Sequence, residues 1–147
     1  MDNRAVSAVL GYILALAVMA LVVSGLFVTA GNYVENQQER AIRAELEVVG
    51  NRLAADIAAI DRLALATGSS GEAELVSNLP PRTARQSYLI EIDEVTTGVY
   101  HLNLSTSDPD VSVTVKMRVQ TTMIEDTVNG GDVRISFDGN EIEVADA

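Results

Sequence analysis

The hydrophobic pattern of the chain changes twice. From Ala5 to Ala30 no residue is charged, and apolar side chains fall on every side of a helix of 3.6-residue period. At about 1.5 Å per residue this run exceeds the roughly 30 Å hydrocarbon core of a bilayer. Its polar or small interruptions are Ser7, Gly11, Tyr12, Ser24, Gly25 and Thr29, and the small ones among them let helices approach closely in an apolar medium. Gly31-Asn32 has the chemistry of a helix stop, yet helical spacing resumes at once. Ile42, Leu46, Val49, Leu53, Ile57, Ile60 and Leu63 recur every three or four residues and form one stripe. Glu39, Arg43 and Glu47, then Arg52 and Asp56, sit four apart with alternating sign and mark an exposed face. No proline occurs between Met1 and Leu79. The pattern predicts one helix over about residues 6–66, apolar all round over 6–30 and amphipathic over 31–66. Thr67-Gly68-Ser69-Ser70-Gly71 is breaker chemistry and ends it.

Beyond Ser87 the period falls to two. Tyr88, Ile90 and Ile92 alternate with Leu89, Glu91 and Asp93; Tyr100, Leu102 and Leu104 alternate with His101, Asn103 and Ser105. Val111, Val113, Val115, Met117 and Val119 make the most regular apolar face, and Val133, Ile135, Phe137, Ile142 and Val144 follow. Thr97-Gly98, Asp108-Pro109, Asn129-Gly130-Gly131 and Asp138-Gly139-Asn140 punctuate these runs as hairpin turns. A further short strand is expected near Ala73–Ser77, ahead of Pro80-Pro81. One apolar and one polar face describe an antiparallel sheet covered on one side. The only long apolar stripe able to cover it is Ile42 to Leu63. The expected class is therefore α+β, a long N-terminal helix packed on a small antiparallel β domain over residues 67–147. Such a core is modest for its size.

Charge narrows the function. The chain of 147 residues carries 21 acidic and 10 basic residues, a net charge of −11, and Lys116 is the single lysine. That balance disfavours nucleic-acid binding through the overall field. An acidic, lysine-poor surface suits a salt-rich medium, where counterions screen self-repulsion. Cysteine is absent, which removes disulfides, thiolate metal sites and cysteine nucleophiles. The one histidine, His101, falls on the polar face of a strand with no nucleophile or carboxylate at a spacing that marks a partner. The residues suggest neither an enzyme nor a cofactor. Asp108-Pro109-Asp110 and Asp138-Gly139-Asn140-Glu141 are better explained as turns than as Ca2+ loops. Asp132, Asp138, Glu141, Glu143 and Asp146 read as a solvated acidic edge.

The apolar run is too long for the core of a removable secretory signal, and no small-residue cleavage site closes it. Arg4 and the terminal amine before the run give a weak vote for a cytoplasmic N-terminus. Asn103-Leu104-Ser105 is an N-glycosylation sequon on the polar face of its strand, and its use would require the β domain to lie outside the cell.

A very short leader, Asn3-Arg4-Ala5-Val6-Ser7, an unbroken apolar helix, an amphipathic continuation and a C-terminal sheet stand in that order. This order resembles the type IV pilin-like proteins of archaea, those of halophilic archaea above all. The motif part of the resemblance covers Arg4 to about Gly25. It implies a class III signal peptide, cut by a prepilin peptidase: Arg4 as the charged residue, Ala5 before the cut and Val6 as the mature N-terminus, leaving a leader of residues 1–5. It implies that the helix bearing Ser7, Val9, Leu10, Tyr12, Leu14, Leu16, Leu21 and Leu26 holds the subunit in the membrane and later in a filament or pseudopilus. The implied partners are the lipid membrane, other pilin-like subunits, and an assembly ATPase and membrane platform protein as separate chains. Leu10 stands where many bacterial pilins carry glutamate, an absence common among the archaeal members. The competing expectation is a single-pass, signal-anchored extracellular binding domain that is neither cut nor assembled.

Overall fold

The computed structural model describes residues 3–147, except the side chains of residues 3–8, Asn32 and Ser69. Met1 and Asp2, and the side chains of Arg4, Ala5, Val6 and Ser7 around the expected cleavage point, lie outside the described residues. One helix, α1, runs over Asn3–Thr67 without interruption at Gly31-Asn32. It ends where Gly68 adopts φ +65°, a left-handed conformation that glycine enters without a Cβ penalty. The Thr67 hydroxyl donates back to the Leu63 carbonyl at 2.9 Å. Eight strands follow: β1 (Ala73–Asn78), β2 (Tyr88–Thr96), β3 (Val99–Ser107), β4 (Asp110–Arg118), β5 (Thr122–Met123), β6 (Thr127–Asn129), β7 (Asp132–Phe137) and β8 (Glu141–Asp146). The protein is α+β, with its long N-terminal helix packed on antiparallel-rich sheets.

The strands form two four-stranded sheets, ordered β1-β7-β8-β5 and β4-β3-β2-β6. Every pairing is antiparallel except β5 with β8. The two-residue alternation predicts which way each side chain faces, and here it holds: Tyr88, Ile90, Ile92, Leu102, Leu104, Ile135, Ile142 and Val144 are buried. Alternation carries no information on which strand pairs with which. The second sheet, and the short β5 and β6 that carry the chain between the two, therefore come from the structure.

The chain divides into two compact units, Met1–Gln38 and Glu39–Ala147. The second holds the core, built from the α1 stripe and the inner faces of both sheets. Ile42, Leu46, Leu53, Ile57 and Ile60 are fully or almost fully buried. Leu63 departs from the expected stripe: it is 51% exposed, and Ala64 is buried instead. Ile57 to Ala64 is close to two full helical turns, whereas two successive steps of three drift off the stripe. Gly50 allows a close approach of helix and sheet, since a Cβ there would come within 2.8 Å of Leu104 and of Val115. On another side of α1, Asp56 accepts a 2.5 Å hydrogen bond from the Ser77 hydroxyl on β1. The same helical segment thus meets both sheets. The expected Glu39–Arg43–Glu47 row is exposed but forms no ion pair; among the described residues the only one is Arg134–Glu74, at 3.6 Å on the surface. An exposed pair of this kind adds little to stability.

Candidate membrane and assembly helix

Among the described residues the first unit contributes nothing to a packed core, and its large apolar side chains are exposed around the whole helix. Val9, Leu10, Tyr12, Leu14, Leu16, Leu21 and Leu26 are all between 50% and 73% exposed. Successive residues turn by about 100°, so these seven spread around the circumference and form no single stripe. The Ser24 and Thr29 hydroxyls inside the run are satisfied locally. Ser24 Oγ donates to the Ala20 carbonyl at 2.8 Å, and Thr29 Oγ1 donates to that of Gly25 at 2.9 Å. An unpaired hydroxyl in hydrocarbon is costly, and this back-bonding removes the cost. The helix is long and apolar enough to cross a membrane and lies near the N-terminus. Its polar continuation begins at Tyr33, whose hydroxyl accepts a 2.8 Å hydrogen bond from Gln37.

Three glycines break the helical propensity of this segment without a reason inside the chain. A Cβ added at Gly11, Gly25 or Gly31 would meet nothing within 4 Å. Glycine costs an exposed helix about 1 kcal/mol relative to alanine. Nothing in the fold of the chain itself offsets that cost.

The β domain offers less. Asn103 lies on the outer face of β3, half-buried, with both ends of its amide engaged. Its Nδ2 donates to Asp93 at 2.9 Å, and its Oδ1 accepts from the Thr114 hydroxyl at 2.8 Å. The sequon is therefore held in a three-strand polar ladder. His101 is half-buried on the same face, in register with Asp93 and Lys116. No group of three or more His, Cys, Asp or Glu able to hold a metal occurs among the described residues. A broad cleft of about 850 Å3 lies where the β2–β3 turn meets the segment after β4, lined by Glu94, Arg118, Gln120 and several threonines. At the Asp138 turn, the backbone N–H groups of Glu141 and then Asn140 hold the carboxyl below the usual carboxylate range. That is Asx-turn chemistry.

One functional group escaped the sequence reading. Asp61 is buried on α1 and accepts hydrogen bonds from the Gln120 N–H at 3.2 Å and the Thr121 N–H at 2.9 Å. It pins the segment after β4 to the helix. The available signal was its position, four residues after Ile57 and next to Ile60, inside the buried arc. Asp61→Ala is expected to lower stability by about 1–3 kcal/mol, because two backbone donors lose their acceptor. Asp61→Asn should recover part of that. Denaturant titration of the three proteins measures it, and an unchanged midpoint for the alanine variant would remove the latch from the account.

The model of a family of unknown function (DUF7266) matches residues 1–145. The chain belongs to that family. The match takes in the apolar helix and the β domain of this DUF7266 chain together. No curated protein matches the DUF7266 chain, and no solved structure does.

Proposed function

We propose that this DUF7266 chain is a type IV pilin-like structural subunit. It is held in the membrane by its apolar helix and then assembled through that helix into a surface filament or pseudopilus. The observation that carries the reading is the continuity of α1. A segment exposed on all sides over residues 9–30 runs without a break into the segment that forms the core of the β domain. A simple anchor has no need of that continuity, since a flexible linker would serve it equally well. In a filament one unbroken helix ties each β domain to the bundle that its apolar half helps to build. Leaving lipid costs little if the same surface is buried against identical helices.

The glycines support the same reading. Gly11, Gly25 and Gly31 weaken the helix and answer to no contact inside the chain. Small residues at these places allow neighbouring helices to approach closely. In this proposal the N-terminus is cytoplasmic and the β domain extracellular, a prepilin peptidase cuts between Ala5 and Val6, and a separate ATPase and platform protein drive assembly.

The intact mass of the membrane-extracted protein tests the proposal. The expected result is a loss matching Met1 to Ala5, abolished by Arg4→Ala or by a bulky residue at Ala5. A mass that retains all five residues in a cell with active prepilin peptidase would make the chain a signal-anchored binding domain instead.

A further inference from the structure

The acids and arginines of the α1 segment in the second unit point to different places. Glu45 Oε2 accepts the Ala84 N–H at 2.7 Å, Asp56 holds Ser77, and Asp61 holds the segment after β4. These three acids are turned toward the chain's own β domain, whereas Glu39 and Glu47 are exposed beside Arg43. The arginines are turned away from it. Arg40, Arg43 and Arg52 are exposed and make no hydrogen bond or ion pair among the described residues; exposed Arg62 donates only to the Ala58 carbonyl one turn back. Beside Arg52 and Arg62 the outer helix face carries short side chains, with Ala55 exposed and Val48 at 69% exposure, and Glu47 and Asn51 are exposed further round the helix. A surface laid against this face would meet guanidinium groups standing above a low apolar floor.

The outer face of the β1-β7-β8-β5 sheet has the opposite character. Glu74, Ser136 and Glu143 lie side by side in register across three strands. Glu72, Glu74, Ser136 and Asp138 line a shallow groove of about 330 Å3 on this side. Arg134 pairs with Glu74 and is the one cation in these rows. Within one chain the two surfaces cannot meet. The helix covers the inner face of the sheet, so its outer face and the sheet's outer face look in opposite directions.

We infer that the arginine-bearing outer face of α1, around Arg52 and Arg62, docks onto the acidic outer face of the β1-β7-β8-β5 sheet of a second copy of this chain. The inference rests on the subunit reading above. Guanidinium groups pair with carboxylates through two parallel hydrogen bonds, which fixes orientation as well as proximity. Because the two faces are different and lie back to back, the contact is heterologous. Each docked copy presents a free acceptor face for the next, and such a contact propagates rather than closing at a dimer.

The absence of cysteine allows a direct test. Full-length chains carrying Arg52→Cys or Arg62→Cys are co-expressed with chains carrying Glu74→Cys or Glu143→Cys, and the membranes are oxidised. A Leu14→Cys homotypic cross-link reports on the apolar helix as a control. At least one of the four pairings is expected to give a disulfide-linked dimer. Arg52→Glu with Arg62→Glu on the helix, or Glu74→Arg with Glu143→Arg on the sheet, should lower copurification of two differently tagged chains about tenfold. Combining the two reversed chains should restore it. The control cross-link without any of the four pairings would overturn this docking and leave the subunit reading standing. Loss of the control as well would overturn both.

Discussion

Leu53→Ala is expected to lower the stability of the second unit by about 2–5 kcal/mol. Leu53 is fully buried at the middle of the α1 stripe, between Val49 and Ile57 and close to the Gly50 contact with β3 and β4. Truncation removes the transfer energy of three carbons and leaves a cavity that a helix held from two sheets cannot collapse to fill. Domains of this size commonly have only 5–15 kcal/mol in total, so the single change is a large part of the whole. Leu63→Ala is the matched control. Leu63 is half-exposed, and its loss should stay within about 0.5 kcal/mol. Thermal or urea unfolding followed by circular dichroism separates the two. Similar losses at both positions would mean that Leu63 is covered in the folded protein, and the stripe would have to be redrawn.

That pair of leucines also shows what the sequence can and cannot tell. Spacing of three and four residues identified the stripe from Ile42 to Ile60, because the burial of a helix face follows directly from its 3.6-residue period. It failed at the end of the stripe, where Leu63 and Ala64 compete and hydrophobicity favours the wrong one. The strand faces were legible for the same reason, although Val113, expected on the apolar face of β4, is only half-buried. The division into two sheets was not, because partner choice depends on contacts distant in the chain, such as Leu75 with Ile135 and Ile135 with Val144. The apolar helix was the most legible part of the candidate site, since length and composition alone define it. The inward acids were the least legible. Asp56 read as one more exposed charge and Asp61 drew no notice, and only the positions of Ser77, Gln120 and Thr121 in space give them partners.

Removal of residues 1–34 is expected to convert a membrane-extracted protein into a water-soluble one that keeps its fold. Every buried apolar side chain of the core lies between Ile42 and Val144, and none belongs to the first unit. The truncated chain would start at Glu35, which leaves almost two helical turns ahead of Ile42 to absorb fraying. It keeps every acidic residue except Asp2 and every basic residue except Arg4, so the full net charge of −11 remains to oppose aggregation. What it loses is the helix long and apolar enough to cross a membrane. Size-exclusion chromatography without detergent, a cooperative thermal transition and a vesicle flotation assay together provide the measurement. Elution as soluble protein, a sharp transition and no flotation are expected, against complete flotation of the full chain. An aggregated or non-cooperative fragment would mean that the second unit draws its stability from the first, and the division of labour along α1 would be wrong. A folded fragment that still floats would place a membrane-binding surface on the β domain.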